Sequence, residues 1–135
     1  MIDGRVDQNR KAIIPIDLLD GAGRLRRLNA IIDTGFDLEL ALPGATIRNL
    51  RLTWRDEIEM TLADGQTVRF QLYGATIIWH EQQREIRVLE TSDEAIIGAD
   101  LLWGSAVAMQ MRDGGHVSIQ ELPDEALPDE ELPDF

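Results

Sequence analysis

Short apolar stretches separated by turn signals run through the first 120 residues of the chain. Residues 12–18 and 27–32 are two such stretches, and the glycine-rich segment 20–23 between them predicts a turn. Further apolar stretches follow at 75–79, 86–89, 95–97, 107–111 and 117–119, and the polar residues 80–84 predict a turn between the first two of these. Runs of this length, broken by glycine and polar residues, are typical of all-β domains. The pattern therefore predicts an all-β, barrel-like domain over residues 1–120.

The clearest local prediction is a hairpin around Asp64-Gly65, because Asp-Gly supplies the positive φ angles that a tight turn requires. Apolar residues alternate with polar ones on both arms, namely Ile58, Met60 and Leu62 on the first and Val68, Phe70 and Leu72 on the second. A loop with an odd number of residues, 64–66, would place both apolar sets on one face. We therefore expect Leu62 to lie opposite Val68.

Two segments carry helical signals. Asp100 precedes residues 101–104 and can cap a short helix there, since its carboxylate can accept hydrogen bonds from free backbone N–H groups. Ile47 and Leu50 are three positions apart, which suits one helical turn over residues 45–52.

The charge of −12 is unevenly distributed. Residues 121–135 hold seven of the 25 acidic residues and no Lys or Arg, which leaves 18 acidic against 13 basic residues in the body. This segment repeats Leu-Pro-Asp three times, and we expect a largely disordered tail that begins at residue 121. The body has no long basic stripe, so we do not expect nucleic acid as a partner.

Composition narrows the other classes of function. The chain has no cysteine, which excludes disulfides and thiolate nucleophiles. No apolar run approaches the roughly 20 residues that a membrane span needs, and residues 1–5 lack the apolar core of a signal peptide. We therefore expect a soluble, cytoplasmic protein with no membrane partner.

The candidate chemistry centres on Asp33. The apolar residues 30–32 run directly into the triplet Asp33-Thr34-Gly35, so we expect the carboxylate to lie in the interior or in a deep cleft. A lone buried carboxylate is unfavourable without a partner or a chemical role. The triplet by itself is too short to identify a class of protein.

Its surroundings are more specific. Residues 30–35 (Ala-Ile-Ile-Asp-Thr-Gly) resemble the active-site strand of retroviral-type, or retropepsin-like, aspartic proteases. Residues 95–102 (Ala-Ile-Ile-Gly-Ala-Asp-Leu-Leu) resemble the second hallmark of that family, and the predicted hairpin lies where the family has its flap. The segments 33–36, 42–43 and 62–65 are similar to the bacterial, single-domain branch. The resemblance covers residues 10–120.

This resemblance implies a closed barrel-like retropepsin fold with one short helix near the C-terminal end of the body. It also implies a homodimer, because only one such triplet is present and the mechanism uses two carboxylates. Asp33 of each chain would then form a dyad that shares one proton, activates water and cleaves a peptide or protein substrate. No metal or other cofactor is implied.

The resemblance also assigns supporting roles. Thr34 would bond across the dimer axis, and Gly35 would bring its N–H group to the carboxylates. Ala63, Asp64 and Gly65 would form the flap tip, and Gly98 would let the Asp100 helix pack beneath the active-site loop. Phe36 replaces the small residue of viral members, and we expect its ring to desolvate the dyad.

Other hypotheses for the function of the chain remain open. The same fold could serve as a catalytically silent module for peptide binding or dimeric assembly. The acidic tail could be a self-processing or self-inhibiting segment that adds to a sheet edge. The serines lack a Gly-x-Ser-x-Gly setting, and His80 lacks the spacing of a metalloprotease motif, so neither predicts a hydrolase site.

Overall fold

The computed structural model describes residues 1–124, which form ten β-strands and two short helices. The strands are β1 (Ile2–Val6), β2 (Ala12–Leu19), β3 (Leu25–Ile32), β4 (Leu40–Pro43), β5 (Thr53–Thr61), β6 (Thr67–Trp79), β7 (Gln82–Thr91), β8 (Ile96–Ile97), β9 (Ser105–Met109) and β10 (His116–Glu121). The helices are α1 (Gly44–Leu50) and α2 (Ala99–Leu102). The predicted all-β class is confirmed. The helical turn expected over residues 45–52 is present as α1, in which Ile47 and Leu50 are both buried, and α2 is the short helix expected near the C-terminal end of the body.

All ten strands described belong to one sheet, in the order β5-β6-β7-β4-β8-β3-β2-β1-β10-β9. The long strand β6 pairs with β5 on one side and β7 on the other. Its C-terminal half also pairs with β2, with Leu18 opposite Ile77. The sheet is therefore curved enough for two strands that are distant in its order to meet.

The core follows from the alternation that the sequence shows in β2. Ile14, Ile16 and Leu18 are buried, and the residues between them are partly exposed. They pack in one cluster with buried residues of β6 and β7, among them Ile77 and Val88. Burying a side chain of this size contributes about 1.5–3 kcal/mol, so this cluster is the main source of stability.

The two-residue strand β8 joins distant parts of the chain. It lies parallel to β3, with Ile31 opposite Ile96, and antiparallel to β4, with Leu40 opposite Ile97. The end of β3 and the start of β4 are thereby held on either side of β8. Residues 33–39, which connect those two strands, must pass over the chain that leaves β8.

The β5–β6 hairpin has a three-residue loop. Met60 lies opposite Val68 and Ile58 opposite Phe70, and the Leu62 N–H donates to the Gln66 carbonyl at 2.7 Å. The prediction of an odd loop with the apolar residues on one face is confirmed. The predicted loop 64–66 and the pairing of Leu62 with Val68 were wrong, because the positive φ of Gly65, 85°, closes the loop at residues 63–65.

The β6–β7 hairpin is tighter than expected. His80 and Glu81 both have positive φ, 51° and 66°, and they alone connect Trp79 to Gln82. Two residues with positive φ match the right-handed twist of the strands that they join. The polar stretch 80–84 predicted a longer turn, but most of it continues as strand.

The C-terminal strand extends past the predicted end of the domain. β10 runs to Glu121, and the Leu122 N–H donates to the Gly104 carbonyl at 2.9 Å. β10 thus ends one residue beyond the boundary expected from the sequence. Residues 125–135, which carry most of the predicted disordered tail, lie outside the described part of the chain. No helix within residues 1–124 is long and apolar enough to cross a membrane.

Candidate active site

Asp33 stands at the point where β3 ends. The strand stops at Ile32, which is buried, and the chain turns outward over Asp33, Thr34 and Gly35, all of which are exposed. The expectation of a carboxylate in the interior or in a deep cleft was therefore wrong for the single chain. The apolar strand carries Asp33 to the surface rather than into the core, because the turn begins immediately after Ile32.

The turn fixes the carboxylate through the backbone. The Gly35 N–H donates to Asp33 Oδ1 at 3.0 Å, and the Phe36 N–H donates to the Asp33 carbonyl at 3.1 Å. A Cβ atom at Gly35 would lie 3.2 Å from Asp33 Oδ1, which is closer than most side chains pack. Glycine at this position thus lets an N–H group stabilise the negative charge of the carboxylate.

Gly98 allows the chain after β8 to touch the turn that carries Asp33. A side chain at Gly98 would overlap the Leu38 carbonyl oxygen and lie 2.6 Å from the Phe36 carbonyl oxygen. The Ala99 N–H donates to the Phe36 carbonyl at 2.7 Å, and the Asp33 N–H donates to the Ile97 carbonyl at 2.9 Å. The N-terminus of α2 therefore packs directly beneath the Asp33 turn.

Phe36 connects this turn to the β5–β6 hairpin. Its ring lies against Gly98 and belongs to a small apolar cluster that includes residues of the hairpin arms. The cluster consists of Phe36, Leu38, Ala41, Ile58, Phe70, Leu72, Leu89 and Ile96. The base of the hairpin and the Asp33 turn therefore share one packing unit.

The outer part of the hairpin is exposed. Ala63, Asp64 and Gly65 at its tip lie on the surface, and Met60 and Leu62 keep 36% and 42% of their surface accessible. On the opposite face Arg69 pairs with Glu57 and Glu59 at 3.4 and 3.2 Å. The hairpin is thus apolar on one face and charged on the other.

Asp100 does not cap α2. The helix begins at Ala99 with Gly98 as its N-cap residue, and no side chain accepts a capping hydrogen bond. Asp100 already lies in the first helical turn, because the contacts of Gly98 and Ala99 with the Asp33 turn set the start of the helix two residues earlier than expected. Its carboxylate is exposed and lies 3.8 Å from Arg87 Nη2.

Two charged residues of the described chain are buried, Asp20 and Glu39, and sequence reasoning identified neither as important. Asp20 lies at the β2–β3 turn, where the Arg24 N–H and the Ala22 N–H both donate to its carboxylate at 2.9 Å. These bonds hold the pKa of Asp20 below its usual value. Glu39 lies between the Asp33 turn and β4, next to the apolar start of β4, which was the only available signal.

The larger of two clefts in the described part of the chain does not include Asp33 in its lining. It has a volume of about 1120 Å³ and lies between the β2–β3 turn, the lower half of the β5–β6 hairpin and β7. Its lining includes Ile58 and Leu72 from the hairpin and the charged residues Glu39, Arg55 and Arg87. A molecule in this cleft would contact the hairpin base, but it would not touch the carboxylate of Asp33.

A smaller cleft of about 590 Å³ lies at the other end of β6, beside Trp103 and the β6–β7 turn. In it, His80 Nε2 lies 2.8 Å from Ser105 Oγ, and burial lowers the pKa of the imidazole. Among residues 1–124 no three His, Asp or Glu side chains are grouped to hold a metal ion.

Comparison of the chain with protein-family models, with curated proteins and with solved structures found no match. The inference of function therefore depends on the geometry of the chain itself. That geometry is an exposed carboxylate on a rigid turn, supported by one backbone N–H and flanked by a hairpin with an apolar face.

Proposed function

We propose that the chain is one subunit of a homodimeric aspartic endopeptidase with a retropepsin-like fold, in which Asp33 of each subunit supplies one catalytic carboxylate. The observation that carries the proposal is the Asp33 turn itself. Its carboxylate accepts the Gly35 N–H at 3.0 Å, and its backbone is held by β8 and α2. A surface carboxylate held this firmly is suited to meeting a second one.

The strand pairing supports the fold. Because β6 pairs with β2 as well as with β7, the strands β6, β7, β4, β8, β3 and β2 form a closed circuit of neighbours. Such a circuit is the arrangement expected of a small barrel. The contact between the Asp33 turn and Gly98 also supports the fold, because the resemblance assigns Gly98 to the packing beneath the active-site loop.

The exposure of Asp33 favours a dimer. One carboxylate cannot act as general base and general acid in the same step, whereas two that lie close together share a proton and can do both. The ionised Asp33 would take a proton from water as that water attacks the scissile carbonyl. The protonated Asp33 of the partner would donate to the carbonyl oxygen, which gives a tetrahedral intermediate with two hydroxyl groups. The first Asp33 would then pass the proton taken from water to the leaving amine nitrogen, while the partner's carboxylate takes a proton from one hydroxyl group, so the peptide bond breaks without a covalent intermediate.

The β5–β6 hairpin would serve as the flap over bound peptide. Its apolar face continues from the packed base, at Ile58 and Phe70, to the accessible side chains of Met60 and Leu62. Closing this face over a substrate would bury apolar surface and exclude water from the dyad. Phe36 would transmit the position of the hairpin base to the catalytic turn.

The proposal is tested by Asp33→Asn, which keeps the size of the side chain and removes its charge. With a mixed peptide library as substrate, we expect cleavage by the wild-type chain and a loss of at least about a hundredfold in the variant. Asp37→Asn is the matched control, because Asp37 is an exposed carboxylate four residues along the same connection. It should keep activity within about threefold of the wild type, as surface changes usually do.

The state of association is measured in parallel by sedimentation. We expect wild type and Asp33→Asn both to be dimers, with activity rising as the square of the subunit concentration when the dimer is weak. A monomer that cleaves at full rate, or a wild-type chain that cleaves no peptide at any pH, would overturn the proposal.

The larger cleft favours a second candidate, a peptide-binding module that does not cleave. It provides about 1120 Å³ lined by both apolar and charged residues, and Asp33 is not among them. Under this alternative, peptides would bind equally well to wild type and Asp33→Asn. Arg55→Ala, in the cleft, would weaken binding without changing the state of association.

A further inference from the structure

Glu39 occupies an unusual position for a charged residue. It is only 9% exposed, and it lies at the junction between the Asp33 turn and β4. Burying a carboxylate is costly unless its charge and its lone pairs are satisfied. The contacts that satisfy Glu39 therefore indicate what the residue does in this fold.

One carboxylate oxygen of Glu39 bonds to the backbone of β7. The Arg87 N–H donates to Glu39 Oε1 at 3.0 Å. β4 begins one residue later, with Leu40 opposite Val88, so the side chain of Glu39 takes the place of a main-chain acceptor just beyond the end of the strand ladder. The carboxylate thus fixes where the connection from Asp33 joins the sheet.

The other oxygen connects Glu39 to the helix beneath Asp33. Arg84 Nη2 donates to Glu39 Oε2 at 3.2 Å and also lies 3.4 Å from the Asp100 carbonyl of α2. The backbone of Glu39 contributes a further link, because its carbonyl accepts the Gly98 N–H at 3.0 Å. Glu39 therefore joins three elements, namely the Asp33 connection, β7 and the start of α2.

We propose that Glu39 is a positioning residue that holds the C-terminal end of the Asp33 turn against β7 and α2. Its importance for catalysis rests on the proposed function, but its effect on the turn does not. The N-terminal end of the turn is fixed by β3 and β8, and the C-terminal end by Glu39. Removing its carboxylate leaves Arg84 and the Arg87 N–H without their buried acceptor, and the C-terminal end of the turn then keeps only its backbone bonds to Gly98 and Ala99.

Asp20 provides a matched control. It is buried to the same extent as Glu39, accepts two backbone N–H groups and lies within 3.5 Å of Arg24 and Arg26. It stands at the β2–β3 turn, at the opposite end of β3 from the two residues, Ile31 and Ile32, that pair with β8. Loss of Asp20 should therefore destabilise the fold without a specific effect on Asp33.

The experiment compares Glu39→Ala, Glu39→Gln and Asp20→Ala by amide hydrogen exchange of the full chain, each corrected for the change in its global stability. In Glu39→Ala we expect the amides of Asp33, Gly98 and Ala99 to exchange at least about tenfold faster than in wild type. Asp20→Ala should leave these three amides at the wild-type rate. Glu39→Gln keeps an acceptor for the Arg87 N–H, so it should restore most of the protection.

Equal exchange at these amides in Glu39→Ala and Asp20→Ala would overturn the proposal. Should Glu39→Ala not fold, Glu39→Asp is compared with Asp20→Asn, because the shorter side chain keeps the charge but withdraws the carboxylate from the Arg87 N–H and from Arg84. Exchange of these three amides at the wild-type rate in Glu39→Asp would also overturn the proposal. Where the wild type cleaves peptide, Glu39→Ala should lower kcat with little change in KM. Absence of cleavage by wild type would count against the proposed function alone, because the exchange measurement needs no activity.

Discussion

The two halves of β6 differ in their burial and in the strands with which they pair. The C-terminal half lies between β7 and β2, and Ile77 and Trp79 are almost completely buried there. The N-terminal half pairs with β5, an edge strand in which eight of nine residues are exposed. One continuous strand therefore joins the buried core to an exposed hairpin.

This difference suits the proposed function. A hairpin that covers a substrate must move, whereas the carboxylate that it covers must not. Here the cluster around Phe36 and Leu72 forms the boundary between the two regions. The predictions that follow test whether the boundary separates regions of different stability.

The largest expected effect is that of Ile77→Ala, which removes a fully buried side chain from the core half of β6. We expect a loss of about 2–5 kcal/mol in the free energy of unfolding. The cavity cannot easily collapse, because this part of β6 is paired with β2 on one side and with β7 on the other. Met60 lies on β5, opposite Val68 in the N-terminal half of β6. Met60→Ala should lower the free energy of unfolding by less than about 1 kcal/mol. Urea unfolding of both variants gives the values, and similar losses would show that the halves are not distinct.

Amide hydrogen exchange of the wild-type chain should show the same boundary. We expect the amides of residues 67–69, which pair with β5 near the hairpin tip, to exchange about a hundredfold faster than the amides of residues 77–79. The reason is that the outer hairpin can open locally. Uniform protection along the whole of β6 would contradict a mobile hairpin.

Two glycine substitutions sharpen the comparison. Gly65, at the hairpin tip, and Gly114, before β10, have φ values of 85° and 72°, and no atom lies within 4 Å of an added Cβ at either position. Alanine is strained in both places by about 1 kcal/mol. Gly114→Ala should show the full loss in global stability, because the Gly114 N–H is bonded to Val6 at 2.9 Å. Gly65→Ala should show less, because the hairpin can relieve the strain by opening.

The smallest effect concerns His80, at the turn of the rigid β6–β7 hairpin. Burial lowers the pKa of His80 below its usual value, so the folded state binds a proton less readily than the unfolded state. Stability should therefore fall as the pH is lowered through the range from about 7 to 5, by less than about 1 kcal/mol. His80→Gln should flatten this part of a plot of Tm against pH.

The sequence predicted those features that depend on local patterns. Alternation identified β2 and both arms of the outer hairpin, and Asp64-Gly65 located its turn. The first strand was not predicted, because it is only five residues long and has just two large apolar side chains, although Ile2, Gly4 and Val6 alternate with charged residues. The hairpin register was wrong by two positions along β6, because apolar side chains alternate in the same way at either register.

The site was less predictable than the fold. The triplet at 33–35 and Gly98 were located from the resemblance, and the structure brings them together. The surface position of Asp33 could not be predicted, because it depends on where β3 stops relative to β8. Glu39 was missed for a similar reason, since its partners Arg84 and Arg87 lie more than forty positions away in sequence.

The strand β8 has a consequence for the order in which the molecule assembles. Its pairing joins Ile31 to Ile96, which are 65 positions apart, so the support beneath Asp33 is closed by one of the longest-range contacts in the sheet. Contacts of this kind form late, because the intervening chain must lose much of its freedom first. During synthesis, residues 33–35 would therefore leave the ribosome long before β8, which supports them. The carboxylate of Asp33 would reach its final geometry only when most of the chain has folded.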